Sequence, residues 1–269
     1  MKLLGIIGKP LDTVLAPKIF NTLFKKKGLP YRYLPFQVEK PHLKNLILCM
    51  KLVDVVGLNV TLPYKESVLP FLDALDVSAK ECGAVNTIVR KKNRFIGYNT
   101  DGKGFCLALK AQKGFKIQNK RATLIGSGGA ARAIAAALAT AGAKSICLLN
   151  RHPNRAIKAA TFFKKRFPKT KWQGLPLNAK NCRRIFQETD LLVQTTSTLP
   201  NLPLIHLPKK CLVSDVCYRE RRLLFKAKKR GLNTLDGLWM LVHQASLNHQ
   251  LWTGKKVDPA ELRKWAGKI

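Results

Sequence analysis

Acidic residues are scarce in this chain: 15 Asp and Glu stand against 49 Lys and Arg over 269 residues, a formal net charge of +34. Taken alone, that excess favours a polyanionic partner, because Lys and Arg attract phosphate without regard to sequence. Yet the chain has no dense basic tail and no stripe of aromatics interleaved with cations; its basic residues occur as scattered short pairs such as Lys91-Lys92. No specific nucleic-acid partner is therefore expected, and adhesion to polyanions at low salt is a side effect. The seven cysteines (Cys49, Cys82, Cys106, Cys147, Cys182, Cys211, Cys217) include no Cys-x-x-Cys pair and have no histidine cluster beside them. Neither a metal site nor a disulfide framework is expected, and the thiols read as reduced and buried in a cytoplasmic protein. The longest apolar tract, residues 133–143, is alanine-rich and far short of the roughly 20 residues that cross a bilayer. Residues 1–7 carry one lysine and an apolar run broken by Gly5, with Gly8 following and no cleavage pattern after it, so they read as a first strand and not a leader. Repeats and low-complexity segments are also missing, and a chain that is 46% hydrophobic is long enough for two modest domains.

What is present is an alternation. Apolar runs at residues 3–7, 31–35 and 55–60 are separated by helix-like periodic segments at 18–27 and 43–50, which predicts a parallel α/β sheet. A second series follows residue 121: strands at 122–125, 145–149, 191–194 and 211–216, with helices at 130–141 and 154–167. This is the βαβαβ rhythm of a dinucleotide-binding half. Two helices, 238–251 and 259–265, end the chain.

Residues 123–131, Thr-Leu-Ile-Gly-Ser-Gly-Gly-Ala-Ala, are an apolar strand running into G-x-G-x-x-A and on into an alanine-rich helix. Gly126 permits the tight turn, Gly128 lets the backbone approach a pyrophosphate, and Ala131 lets helix and strand pack closely, with the helix amino terminus facing the phosphates. At the end of the second strand, where an acid would hold a ribose 2′-hydroxyl, the chain reads Asn150-Arg151, with Arg155 four residues on. Guanidinium groups there suit a 2′-phosphate, so NADP is favoured over NAD.

Three polar turns follow apolar segments: residues 57–65 (G-L-N-V-T-L-P-Y-K), 83–87 (G-A-V-N-T) and 97–102 (G-Y-N-T-D-G). Oxidising a secondary alcohol removes a hydride from carbon and a proton from oxygen, and a lysine with a carboxylate is a sensible acid/base apparatus for the proton. Asparagine and threonine would position neighbouring hydroxyls. Each of these residues singly is a turn residue or a solvated charge.

Together the motifs resemble the shikimate dehydrogenase family nearly end to end: Gly8-Lys9-Pro10, N-V-T-x-P-x-K (59–65), G-A-V-N-T (83–87), N-T-D-G (99–102), G-S-G-G-A-A-R (126–132), N-R-x-x-x-R (150–155), Asp215-x-x-Tyr218 and Gly237-x-x-Met240-Leu241-x-x-Gln244. The resemblance implies a two-domain α/β enzyme that interconverts 3-dehydroshikimate and shikimate with NADP(H), working as a monomer or homodimer. Residues 1–101 with 238–269 would form the substrate-binding and catalytic domain, the last helices returning to it, and residues 102–237 the Rossmann-like NADP domain. It further implies that Lys65 and Asp101 are the catalytic pair and that Thr61, Asn86, Gln244 and Tyr218 bind substrate. Gly126, Ser127, Gly128, Gly129, Ala130, Asn150, Arg151, Arg155 and Thr195 would hold NADP, with Gly237 and Met240 near the nicotinamide.

The chain departs from the family pattern at two places. The family's early motif, G-x-P-x-x-H-S-x-S-P, carries two serines that hold a substrate carboxylate; here Val14 and Ala16 stand in their places. Hydrogen bonds to a charged group are worth about 1.5 to 3 kcal/mol each, so losing both predicts carboxylate recognition weaker by roughly 10²- to 10⁴-fold. Either Thr13, Lys9 or Lys18 takes over the carboxylate, or the ligand differs there, quinate and other cyclic acids included, or the chain is a non-catalytic NADP-binding relative. After Tyr218, the family's proline and threonine are Glu220 and Leu223.

Overall fold

The structure is a computed structural model and describes residues 1–198, 200–218 and 222–266. Along the chain run β1 (Lys2–Gly8), α1 (Ala16–Lys26), β2 (Tyr31–Gln37), α2 (Leu43–Leu52), β3 (Gly57–Val60), β4 (Ala74–Leu75), α3 (Val77–Cys82), β5 (Thr87–Lys91) and β6 (Arg94–Tyr98). Next come α4 (Asp101–Lys113), β7 (Arg121–Ile125), α5 (Gly129–Thr140), β8 (Ser145–Asn150), α6 (Pro153–Arg166), β9 (Lys171–Pro176) and α7 (Ala179–Phe186). The chain closes with β10 (Leu191–Gln194), β11 (Leu212–Asp215), α8 (Arg222–Lys229), β12 (Asn233–Asp236), α9 (Gly237–Thr253) and α10 (Pro259–Ala266). It divides into two compact units, residues 1–100 with 242 onward, and residues 101–241. Among the described residues no helix is long and apolar enough to cross a membrane.

The first unit is built on a six-stranded sheet in the order β2-β1-β3-β5-β6-β4. β1 pairs in parallel with β2 and β3, but β5 runs antiparallel to both β3 and β6. The wholly parallel sheet expected from sequence is thus a mixed one. The unforeseen hairpin turns at Lys92-Asn93, with Lys91 opposite Arg94. Such two-residue turns ask for positive φ and usually advertise it with Gly, whereas here Lys92 takes φ 54°. On α1, Ile19, Phe20, Leu23 and Phe24 are buried at helical spacing, and Phe20 stacks on Tyr33 of β2 at 4.8 Å between ring centroids. The carboxyl-terminal part of α9 packs on this sheet, where the Trp252 indole N–H donates to the Ile88 carbonyl at 3.0 Å. A Cβ on Gly57 would stand 2.2 Å from that indole nitrogen, so glycine is what admits the tryptophan.

The second unit has an all-parallel sheet, β12-β11-β10-β7-β8-β9, in which chain order reverses beside β7. That reversal creates the crevice at the carboxyl ends of the strands where such folds take ligands. Eight of the twelve residues of α5 are buried and small or apolar, and five of those eight are alanines, the best helix formers. Its partner α4 lies close enough that a Cβ on Gly102 would meet the Ala133 carbonyl oxygen at 2.2 Å. β9 escaped the sequence reading because it is an edge strand with few β-formers, ends in Pro176, and includes Gly174, where a Cβ would strike the Ala156 backbone at 2.4 Å.

Candidate active site

In the first unit the predicted substrate residues rest on a buried polar network. Asn86, 3% exposed, immediately precedes β5. Its Oδ1 accepts from the Thr100 backbone N–H at 2.9 Å and from the Thr87 hydroxyl at 2.8 Å, and its Nδ2 donates to Thr100 Oγ1 at 2.9 Å. The hydroxyls of Thr87 and Thr100 each lie 2.7 Å from Oδ1 of Asn248, a fully buried residue of α9. Asn248 Nδ2 in turn donates to Gln244 Oε1 at 2.7 Å, one helical turn earlier. Gln244 Oε1 and Asn86 Nδ2 approach to 3.5 Å, a weak contact on its own. The network continues below: Asn59 Nδ2 donates to the Asn86 carbonyl at 3.0 Å, and Tyr33 donates its hydroxyl to Asn59 Oδ1 at 2.7 Å. Burial pushes the Tyr33 phenol well above its ordinary range, so it stays a donor.

Thr61 and Lys65 occupy the loop after β3. Thr61 N–H donates to the Ile7 carbonyl at 2.9 Å, and the Lys65 carbonyl accepts from Val85 N–H at 2.7 Å, which fixes the loop at both ends. Between them Tyr64, buried, donates to the Val38 carbonyl at 2.5 Å. Held this way, the lysine has a defined origin from which to reach a ligand.

The sequence reading quoted Thr87 and Thr100 inside motifs without giving them a role, and it missed Tyr33 and Asn248. Asn248 was detectable in principle, since a polar residue four positions after Gln244 shares its helix face.

The early loop bears on carboxylate binding. Ala16 is buried at the start of α1 and Val14 is half-buried; neither offers a hydroxyl. Of the proposed substitutes, Lys9 is in an ion pair with Glu39, so an internal carboxylate already engages it, and Lys18 is exposed. Thr13 is exposed too.

Asp101, Tyr218, Gly237 and Met240 belong to the second unit. Asp101, 5% exposed, opens α4, where the helix dipole favours a carboxylate. Gly237 opens α9 against the chain that follows β11: a Cβ there would lie 2.3 Å from the Val216 carbonyl oxygen. Met240 is buried on α9, and Tyr218 is partly exposed after β11. Leu223 is buried in the core under α8, whereas Glu220 lies outside the described residues.

The dinucleotide turn follows β7. Gly126 takes φ +110°, and a Cβ on it would meet Thr195 Oγ1 at 2.5 Å. Thr195 itself follows β10 and donates its hydroxyl to the Ile125 carbonyl at 2.6 Å, bracing the turn from the neighbouring strand. Asn150 Nδ2 donates to Ser127 Oγ at 2.6 Å, tying the end of β8 to the same turn. Gly128 is the N-cap of α5, with Gly129 and Ala130 opening the helix, and a Cβ on Gly128 would meet nothing within 4 Å. This is a space that an approaching phosphate fits and a side chain would fill. Arg151 and Arg155 are both exposed beyond β8, and Asn150 in place of an acid leaves their charge available to a 2′-phosphate. The donor set therefore fits NADP.

Two family profiles match the chain: the shikimate dehydrogenase substrate binding domain over residues 6–88, and shikimate / quinate 5-dehydrogenase over residues 108–206. The shikimate dehydrogenase (NADP(+)) of Alkaliphilus oremlandii is 37% identical over 262 residues, covering 94% of this chain and 91% of the relative. The shikimate 5-dehydrogenase of Thermus thermophilus, solved in complex with NADP(H) and shikimate, superposes with a TM-score of 0.86 at 32% identity, covering 99% of this chain and 98% of its own. A ligand-free 5-ketofructose reductase from Gluconobacter superposes almost as well, with a TM-score of 0.84 at 32% identity over 98% of this chain and 97% of its own.

Proposed function

The chain belongs to the shikimate dehydrogenase family, and from that premise we propose how its residues perform the reversible, NADP-dependent reduction of 3-dehydroshikimate to shikimate. It is an NADP-dependent oxidoreductase acting on a CH–OH group. When bound, NADPH supplies the hydride, and the protein's own groups handle the rest. Residues 1–100 with the returning helices take the substrate, and residues 101–241 take the cofactor. Lys65 and Asp101 hold and move the hydroxyl proton; an ammonium and a carboxylate acting together titrate as a pair. Asn86 and Gln244, locked by Thr87, Thr100 and Asn248, orient the ring hydroxyls with Thr61 and Tyr218. Gly126 to Ala130 cradle the phosphates with Ser127, Asn150 and Thr195, Arg151 and Arg155 select the 2′-phosphate, and Gly237 and Met240 line the nicotinamide. The enzyme works in the cytoplasm, as a monomer or homodimer.

The observation that carries this reading is the polar network joining Asn86 to Gln244. Burying so many amides and hydroxyls costs free energy unless each is satisfied, and the reward is a rigid set of groups ready to orient a ligand. A second reading rests on Val14, Ala16 and the engaged Lys9: a polyol ketone without a carboxylate, as the 5-ketofructose reductase's name describes, would need no contact there.

A steady-state assay following nicotinamide absorbance separates the two, with shikimate and quinate against NADP or NAD, 5-keto-fructose against NADPH or NADH, and wild type beside a Val14→Ser/Ala16→Ser variant. Robust wild-type turnover of shikimate with NADP supports the first reading. Turnover of the uncharged ketone, with shikimate activity appearing only in the serine variant, supports the second. Silence of both proteins on all substrates would sink catalysis of this type.

A further inference from the structure

The second unit contains a cavity of about 460 Å³ that the dehydrogenase reading leaves unused. It sits at the amino-terminal ends of β7, β8 and β9, beside the last turn of α7. Arg121 and Lys171 flank Ser145 in strand register, Lys144 immediately precedes β8, and Arg184 projects from α7. Gln173 and Glu188 add polar lining. The dinucleotide turn occupies the other ends of the same parallel strands. Five residues separate Arg121 from Gly126, roughly 17 Å at strand rise, so cavity and cradle are distinct places.

Its charge is lopsided. Among the described residues Glu188 is the one acid in the lining, and Arg121 engages it at 3.0 Å. The nearby Asp190 carboxylate accepts the Arg121 backbone N–H at 3.0 Å. Lys144, Lys171 and Arg184 therefore outweigh the acid of the lining, and their field falls within one concave space. Cys147, also in the lining, brings no negative charge, since burial pushes its thiol up to about 12 despite the pull of Arg184. The volume is that of a small-molecule site. A single carboxylate would balance only one of these cations. Phosphoryl groups each carry about −1.5 to −2 charges at neutral pH and match the planar fork of arginine.

We propose that this cavity binds a small anion bearing two phosphoryl groups, independently of the dinucleotide cradle. Inorganic diphosphate and a sugar bisphosphate share that chemistry. The test is calorimetric titration of the NADP-saturated protein with inorganic diphosphate and, separately, with fructose 1,6-bisphosphate, at about 150 mM salt, where surface attraction is largely screened. The expected result is saturable binding of one equivalent, with the tighter probe showing whether the sugar is recognised. Lys171→Gln/Arg184→Gln should weaken it about tenfold or more and leave steady-state turnover and melting temperature unchanged. Lys226→Gln/Lys228→Gln, on exposed α8, should leave it within about twofold. Absence of saturable binding overturns the proposal. So do equal losses in both double variants, which would mean surface adhesion only, and an apparent affinity that falls in proportion as the NADP concentration is raised, which would place the probe in the cradle.

Discussion

The two units build their candidate sites by opposite means. In the first, side chains do it: Asn86, Thr87, Thr100, Gln244 and Asn248 bond to one another inside an apolar core, so each group's position depends on its neighbours. In the second, the backbone does it: Gly126 to Ala130 offer a turn and a helix amino terminus, braced from behind by Thr195 and Asn150. A side-chain network discriminates between ligands that differ by a hydroxyl, because a missing partner leaves buried groups unsatisfied. A backbone cradle accepts any suitably spaced phosphates and leaves selectivity to the exposed arginines beside it. Substitutions in the network should therefore damage substrate handling and stability, and substitutions in the cradle cofactor affinity alone.

The largest effect should come from Lys65. Lys65→Ala removes the proposed proton-transferring group from a loop whose backbone bonds it leaves intact, and general acid–base contributions run to about 10²- to 10⁴-fold. Measured kcat should fall by that order while the KM for NADP stays within about twofold. A KM that rises while kcat holds would make Lys65 a binding residue and blur the contrast between the units.

Gly128→Val sharpens the contrast from the other side. Because a Cβ there meets nothing within 4 Å, the melting temperature should be unchanged, while the branched side chain fills the space a phosphate needs. The KM for NADP should rise roughly 10²-fold, equivalent to about 2.7 kcal/mol, with kcat at saturation nearly intact. A loss of stability in place of affinity would mean that the turn is a packing feature.

Asn248→Ala should act in the reverse sense. It strips partners from Thr87, Thr100 and Gln244 at a fully buried position, where an unsatisfied polar group costs about 1 to 3 kcal/mol. Urea unfolding should show that loss, and the KM for substrate should rise while that for NADP does not. If stability and KM are both unmoved, the network is decoration around a site held by other residues.

How much of this is legible in sequence follows the same division. The cradle is local: one strand, a glycine turn and one helix within residues 121–140, so G-x-G-x-x-A announces it, and Asn150-Arg151 announces the charge beside it. The network is not local. Asn86 and Gln244 are 158 residues apart, and only the packing of Trp252 and α9 onto β3 and β5 brings them into one place. Thr87 and Thr100 looked like turn residues because their partners were out of sight. The antiparallel β5–β6 pairing was hidden by a lysine at positive φ, and β9 by its proline and glycine. Local backbone chemistry leaves a motif; long-range side-chain chemistry leaves only a polar residue in an apolar stretch.

The smallest expected effect concerns acid. The cradle donates backbone N–H groups, which do not titrate in the physiological range, whereas α9 carries His243 and His249 among the residues of the network. Burial lowers the pKa of both below 6.5, against the opposing pull of Asp258 on His243 and of the Lys255 carbonyl, 2.8 Å from Nδ1, on His249. A histidine held neutral in the folded chain binds fewer protons than in the unfolded chain, so its contribution is fully present above about pH 6.5 and is lost as pH falls through 6.5 toward the lowered value. Hydrogen exchange corrected for intrinsic rates should then show residues 242–253 losing protection between about pH 7.5 and 5.5, with α5 changing less. His249→Gln should flatten that dependence, since glutamine keeps a polar group near the Lys255 carbonyl and takes up no proton. If α5 loosens in step with α9, the two units open as one and acid draws no distinction between network and cradle; if α9 loosens first, the side-chain network is the part of this enzyme that pH can loosen while the cradle stays intact.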